Sequence, residues 1–117
     1  LILFICVKYD FFTNTYNLVK KDYPSRMISI YGDCSKEGYG FTKFIFDKYN
    51  PKYNLVILNG QPNIFGSPAA LFYDKSKLFT DKMKILINYN EDISKNFKDF
   101  QILEKNKNCY LIKKKND

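Results

Sequence analysis

The chain has 117 residues, 45% of them hydrophobic and 26% charged, and these totals fit one globular domain. It contains no histidine, which excludes the Ser-His-Asp and Cys-His triads and removes the commonest zinc ligand. Nineteen Lys and Arg against twelve Asp and Glu give a net charge of +7, which favours anionic partners such as nucleic acid, phosphates or a membrane face.

The kind of basic residue argues against a dedicated nucleic-acid surface. Arg26 is the single arginine and all other basic residues are lysines, whereas bidentate recognition of phosphate and guanine favours arginine. Lys, Asn, Ile, Phe and Tyr, which all have A/T-rich codons, make up more than half of the chain. Codon bias therefore accounts for much of the charge, and nucleic acid is the less favoured partner.

Residues 1–9 open the chain with its most apolar stretch. This stretch predicts a buried strand, and the alternative is the end of a longer membrane span. Its apolar run is too short to cross a bilayer, which takes about twenty residues. It also lacks the basic region and small-residue cleavage site of a signal peptide. We expect the sequence to be a fragment of a longer chain.

The pattern after this stretch predicts a helix, a strand and a loop. Four apolar residues recur at intervals typical of one helix face, and Pro24 is expected to end that helix. Residues 26–31 predict a strand, and the three glycines within residues 32–40 predict a loop. The helix face comprises Phe12, Tyr16, Val19 and Tyr23.

The middle of the chain predicts a second helix and the central strand of a sheet. The helix covers residues 41–49 and stops before Pro51. Residues 55–58 are apolar on both faces, as a central parallel strand covered by helices requires. Ser67 and Pro68 predict the start of a further short helix, as an N-cap followed by proline.

The last third of the chain predicts a strand, a helix and a hairpin. Apolar and polar residues alternate over residues 83–89, which indicates a strand nearer the edge of the sheet. Apolar residues within 93–100 predict a helix of about two turns. Two apolar runs within residues 101–112 flank a polar turn and predict a β-hairpin.

Strands that alternate with helices and close on a hairpin indicate the fold class. We predict a single domain over residues 1–117, built as a three-layer, Rossmann-like α/β sandwich. Its sheet is expected to be mostly parallel with right-handed crossovers, and the C-terminal hairpin is expected at the edge.

Two predicted loops could hold a ligand, because open α/β sheets bind ligands beyond the carboxyl ends of their strands. Residues 32–40 combine glycines with a helix start and could hold a phosphate, although their spacing matches no dinucleotide or P-loop fingerprint and a structural turn is the alternative. Residues 59–63 offer amide side chains to sugar hydroxyls, although Asn-Gly is also a common turn. If the strands before the two loops are adjacent, residues of both loops line one crevice that holds a polar ligand, such as a sugar or a phosphate. The predicted ligand-binding residues are Asp33, Ser35, Gly38, Asn59 and Gln61.

No catalytic residue, metal site or cofactor is predicted. The three cysteines cannot all pair, and their spacing, without histidine, matches no zinc pattern. Cys6 and Cys109 both fall in predicted strands and could meet in space. Cys34 has only Lys36 nearby in sequence to lower its pKa, so an idle cysteine is the commoner expectation.

The Gly32-Asp33-Cys34 turn, with Gly38 and Asn59-Gly60, resembles the first two blocks of SGNH (GDSL-type) hydrolases. In that family a serine of the first block is the nucleophile, and a late Asp-x-x-His supplies the base. Here Cys34 takes the nucleophile position and no histidine exists. The departure argues against a working hydrolase.

The apolar start, the α/β unit and the ending over residues 100–113 together resemble the C-terminal soluble domain of GT-C membrane glycosyltransferases. The resemblance implies an upstream membrane-embedded portion that carries the catalytic acids, with no catalytic residue on this chain. The implied role is extracytoplasmic: to assist binding of a glycan acceptor or a lipid-linked sugar. The alternative is a freestanding cytoplasmic α/β module that binds a phosphate-bearing ligand or nucleic acid.

Overall fold

Helices occupy the first half of the chain and strands dominate the second half in the computed structural model, which describes residues 2–8, 11–61 and 71–115. This order differs from the predicted alternation of strands and helices. The elements of these residues are α1 (Ile2–Lys8), α2 (Phe11–Lys20), α3 (Tyr23–Tyr31), α4 (Tyr39–Tyr49), β1 (Asn54–Asn59), β2 (Phe79–Ile87), α5 (Ile93–Asn96), β3 (Phe100–Asn106) and β4 (Cys109–Lys114).

The described strands form one mixed sheet with the order β1-β2-β4-β3. Only β1 and β2 are parallel, whereas β4 pairs antiparallel with both β2 and β3. The predicted Rossmann-like sandwich with a mostly parallel sheet is therefore wrong. The chain is a small α/β domain with a four-stranded mixed sheet within the residues described.

Two predicted strands are helices, and their loss explains the smaller sheet. Residues 26–31 belong to α3, which begins when the carboxylate of Asp22 accepts a hydrogen bond from the Ser25 amide at 3.1 Å. Pro24 lies in the first turn of α3, where its missing N–H costs nothing, and so it opens this helix. The apolar opening is helical from Ile2 to Lys8, because a short apolar run suits either structure.

The remaining predicted elements are present with changes of length and position. The helix with Tyr16 at its centre is α2, the helix before Pro51 is α4, and the C-terminal hairpin is β3 and β4. β1 lies at one edge of the sheet and β2 lies inside it, the reverse of the predicted positions. α5 has a single turn. The helix predicted at Ser67 and Pro68 lies outside the described residues.

The core has two parts because alternate residues of a strand point to opposite faces of the sheet. The larger part packs α4 against one face, where Phe41 and Ile45 meet Ile85, Ile87 and Leu111. The smaller part lies on the opposite face. Its buried members are Leu86, Ile93 and Ile112.

A disulfide joins Cys34, between α3 and α4, to Cys109 at the start of β4, with the two Cα atoms 5.7 Å apart. The pair that the sequence left open, Cys6 with Cys109, is not the one formed. Both bonded cysteines are buried within the larger core. The bond therefore links the helical half of the chain to the sheet across 75 residues of sequence.

We predict that replacing both Cys34 and Cys109 with serine lowers the free energy of unfolding by about 2–4 kcal/mol, because the bond restricts the unfolded chain. Urea denaturation of the oxidised protein and of the double variant measures the difference. Wild type kept under a strong reductant is the control and should approach the variant. Three titratable thiols in denatured, unreduced protein would contradict the bond.

Candidate functional site

Residues 32–38, here called the capping loop, lie across the ends of β1 and β2. The carbonyl oxygen of Lys36 accepts hydrogen bonds from the Asn59 side chain at 2.8 Å and from the Asn88 side chain at 2.6 Å. Asn88 also donates to Asn59 Oδ1 at 3.1 Å. The two predicted loops therefore meet, although the element before the first loop is α3 and not the predicted strand.

Three backbone amides at the start of α4 are already used within the loop. The N–H of Gly38 donates to the Ser35 carbonyl at 2.9 Å, and the N–H of Gly40 donates to the Gly32 carbonyl at 3.0 Å. The N–H of Phe41 donates to the loop as well. Because these donors have partners, the geometry favours the structural turn over the phosphate cradle.

Gly38 serves the packing of the loop. It is buried, its φ is +65°, and a Cβ atom built on it would lie 2.5 Å from the side chain of Ile87. Only glycine fits both the left-handed backbone and the contact with β2. The predicted ligand residue at this position is therefore placed against the core.

The structure does not bring the other four predicted ligand residues together in one site. Asn59 is joined to Gln61, whose backbone N–H donates to Asn59 Oδ1 at 2.9 Å, at the β1 edge. Ser35 is an exposed residue of the capping loop. Asp33 lies toward the opposite edge, where Asn106 Nδ2 donates to its Oδ2 at 3.4 Å. β2 and β4 separate the two edge strands.

A cavity of about 350 Å³ lies between the capping loop, α4 and the hairpin, and Asp33 is one of its walls. The lining of this cavity includes none of the other four predicted ligand-binding residues. An exposed aromatic ring, Phe44, stands beside the carboxylate and amide groups. The full lining comprises Asp33, Phe41, Phe44, Glu104, Lys105 and Asn106.

One wall of this cavity is fixed by a network between α4 and β3. The carboxylate of Glu104 pairs with the ammonium group of Lys48 and accepts a hydrogen bond from the Tyr49 hydroxyl at 2.8 Å. The hydrogen bonds from Lys48 and then Tyr49 lower the pKa of Glu104 below its ordinary value. Glu104 thus stays ionised and positions β3 against α4.

Sequence reasoning missed the cavity residues from the helix and the hairpin. Phe44 falls on the apolar face of α4, a position that favours the core, yet it is 47% exposed. Asn106 belongs to a polar turn, which gives no signal of its own. Their proximity to Asp33 arises because the capping loop reaches the hairpin, a contact between residues 73 positions apart.

Comparisons with known proteins add no relative to this picture. Neither a scan against protein-family models nor searches among curated proteins and solved structures finds a match to the chain. The resemblances to GT-C glycosyltransferases and SGNH hydrolases stay predictions. Cys34 is held in a disulfide, so it offers no thiolate at the nucleophile position.

The described side chains do not form a metal-binding cluster. Among residues 2–8, 11–61 and 71–115, no group of three or more His, Cys, Asp or Glu side chains could hold a metal ion. The carboxylate of Glu104 is directed to Lys48 and Tyr49. The described lining of the cavity offers a ligand hydrogen-bonding groups and an aromatic surface.

We predict that Gly38→Ala lowers the free energy of unfolding by about 2–4 kcal/mol, from the left-handed backbone and the contact with Ile87. Urea denaturation provides the value. Lys36→Gly is the matched control in the same loop, because Lys36 has a φ of +51° and glycine suits it. This control should change stability by less than about 1 kcal/mol. A Gly38→Ala protein as stable as the control would contradict the packing described.

We also predict a loss of stability at acidic pH that depends on Glu104. Because its pKa in the folded state is lowered, the stability it contributes is present above its ordinary pKa of 4.5 and is lost as pH falls through the lowered value. Urea midpoints measured from neutral to acidic pH should fall more for wild type than for Glu104→Gln. Glu37→Gln, which removes an acid outside the network, should follow wild type. Parallel curves for wild type and Glu104→Gln would contradict the prediction.

Proposed function

We propose that the chain is a soluble, extracytoplasmic domain of a membrane-bound glycosyltransferase, without catalysis of its own, that helps to bind a glycan acceptor. The observation that carries the proposal is the cavity lined by Asp33, Phe44 and Asn106. Asp33, one of the ligand-binding residues predicted from the sequence, lines this cavity. A sugar is one of the ligands that the sequence predicts. The three side chains come from the capping loop, α4 and the hairpin.

The chemistry of the cavity suits a saccharide. Sugars present vicinal hydroxyl groups, which a carboxylate can accept from and an amide can both donate to and accept from. The Asp33 and Asn106 groups are within 3.4 Å of each other and can engage neighbouring hydroxyls. The face of an aromatic ring such as Phe44 carries partial negative charge and attracts the C–H groups of a sugar ring.

The size and openness of the site to solvent favour weak binding of a small unit. Its volume of about 350 Å³ is at the lower end of small-molecule sites. Glu104 and Lys105 also border the cavity, so a neutral or mildly charged sugar finds both signs of charge there. Weak, local binding is what an accessory domain needs when catalysis takes place elsewhere.

The disulfide supports the extracytoplasmic assignment. Structural disulfides persist in oxidising compartments and are rare in the cytosol. The Cys34 to Cys109 bond therefore favours the extracytoplasmic side over the cytoplasmic alternative. It also pairs two of the three cysteines of the chain.

The transferase part of the proposal rests on the resemblance to GT-C enzymes. Of its features, the ending over residues 100–113 is present as the β3–β4 hairpin, and the apolar opening is present as an exposed helix. The Rossmann-like sheet is absent from the described residues. The membrane-embedded portion of the same protein is the proposed partner.

Titration of isotope-labelled protein with neutral trisaccharides, namely maltotriose, chitotriose and mannotriose, tests the sugar site by NMR. We predict millimolar binding of at least one, with chemical-shift changes at residues 33, 44 and 106. Asp33→Ala should weaken that binding about tenfold, because a hydrogen bond to a charged group contributes about 1.5 kcal/mol. Phe44→Ala should also weaken it, through loss of the ring surface.

Phe79→Ala is the matched control, since Phe79 is also an exposed aromatic residue but lies in β2 away from the cavity lining. It should bind the same sugar as wild type does. Absence of binding to all three sugars, or shift changes confined to Asn59 and Gln61, would overturn the proposed site. Binding of inorganic phosphate at the capping loop instead would favour the cytoplasmic alternative.

A further inference from the structure

We propose that α1, α2 and α3, here called the helical arm, form a docking surface for an anionic lipid bilayer, on which the arm lies without crossing it. This proposal uses different residues from the sugar site and stands or falls separately. It rests on the amphipathic pattern of α2, the exposure of apolar side chains, the charge of the arm and the shape of the molecule.

The sequence of α2 divides into an apolar and a polar side. At about 100° per residue, its five large apolar residues fall within about 160° of the circumference. Thr15 lies within this arc, but its hydroxyl donates to the Phe11 carbonyl at 2.8 Å and so has a partner. The five apolar residues are Phe11, Phe12, Tyr16, Leu18 and Val19.

The apolar side of the arm faces solvent. Phe12 is 58% exposed and Val19 is 75% exposed, and α3 contains no buried residue. An exposed apolar patch of this kind marks an interaction surface. The other exposed large apolar residues of the arm are Ile2, Leu3, Phe4, Val7, Phe11, Tyr16, Leu18, Tyr23, Ile28 and Ile30.

The charge of the arm identifies an anionic partner. The sequence from Ile2 to Tyr31 carries four basic residues, Lys8, Lys20, Lys21 and Arg26, against two acidic ones, Asp10 and Asp22. Basic residues beside aromatic and aliphatic ones are typical of helices that lie in the interface of a membrane. A purely apolar protein partner would gain nothing from this charge.

A cavity of about 510 Å³ between α2 and α3 places cationic groups next to apolar ones. Lys21 and Arg26 line it together with Leu18, Met27 and Ile30. Arg26 also holds the two helices in place, because its guanidinium donates to the Leu18 carbonyl at 3.0 Å and to the Lys21 carbonyl at 2.7 Å. A lipid presents a phosphate next to its acyl chains, so the phosphate would contact the cationic groups of this cavity and the acyl chains would contact its apolar side chains.

The shape of the molecule leaves the arm accessible. The radius of gyration is 17.5 Å, whereas a compact domain of this length has about 13 Å, and the longest extent is 65 Å. Within the described residues, no helix has the length and apolar character needed to cross a bilayer. The arm is proposed to lie flat on the surface, where amphipathic helices bury aromatic and aliphatic side chains at the headgroup boundary.

Flotation with lipid vesicles tests the docking surface in the 117-residue chain. The vesicles are phosphatidylcholine alone or with about 30% phosphatidylglycerol, at low and high salt. We expect binding to the anionic vesicles to be about tenfold tighter than to neutral ones and to weaken with salt. Lys20→Gln combined with Lys21→Gln removes two of the four basic residues of the arm and should reduce this preference about threefold.

The apolar contribution is tested by a matched pair of double variants. Phe12→Ser with Val19→Ser removes two apolar residues of the arm that are 58% and 75% exposed. Phe79→Ser with Leu78→Ser removes two of the same exposure, 59% and 76%, outside the arm. The arm variant should lose vesicle binding by about tenfold or more, and the control should bind as wild type does.

Amide hydrogen exchange with and without anionic vesicles gives a second measurement, independent of variant folding. Protection should increase over residues 11–31 and stay unchanged over the sheet. Equal binding to neutral and anionic vesicles, no vesicle binding, or equal loss in the two double variants would overturn the proposal. A dimer that protects residues 11–31 without vesicles would also overturn it and would identify a second copy as the partner. Sugar titration of the same samples reports separately on the proposed function.

Discussion

The carbonyl oxygen of Lys36 is the point on which the arrangement of this domain depends. It accepts from both Asn59 and Asn88 and so ties the ends of the two parallel strands to the loop between α3 and α4. Nearby, Cys34 bonds covalently to Cys109 and fixes the same loop to β4. Because the loop is held at both places, Asp33 is directed to the hairpin and α4 is directed across the sheet. The fold and the cavity beside Asp33 therefore share one support.

Local apolar periodicity was enough to predict several elements. In α2 and α4 the spacing of apolar residues fits a helix far better than a strand, and in the C-terminal hairpin it fits strands better than a helix. The stretch over residues 26–31 shows where such reasoning fails. Its isoleucines suggest a strand, but the Asp22 cap and the proline in the first turn decide for a helix. Both signals are visible in the sequence, since proline opens helices as readily as it ends them.

The order of the strands could not be predicted from the strands themselves. The apolar run of β1 suits a central position, yet β1 lies at an edge and β2 is inside, with Ile85, Leu86 and Ile87 fully buried. A strand's position depends on which partners reach both of its sides, and those partners are distant in sequence. The candidate site also depends on contacts between residues that are distant in sequence. Asp33 was found from its loop, whereas Asn106 becomes its neighbour only when the hairpin meets that loop.

The apolar residues of the chain are divided between a buried core and the exposed helical arm, so the core is smaller than the hydrophobic content of the chain suggests. A hydrophobic content of 45% fits one globular domain, yet among the described side chains the two buried clusters draw on α4, the strands, α5 and Cys34 of the capping loop, and not on the helical arm. Most large apolar side chains described in the arm are instead exposed. Since α3 packs on α4 and leads into the capping loop, a surface that covers the arm also sets the direction in which the cavity faces. A bilayer under the arm would thus hold the proposed sugar site at a fixed height and orientation beside the membrane.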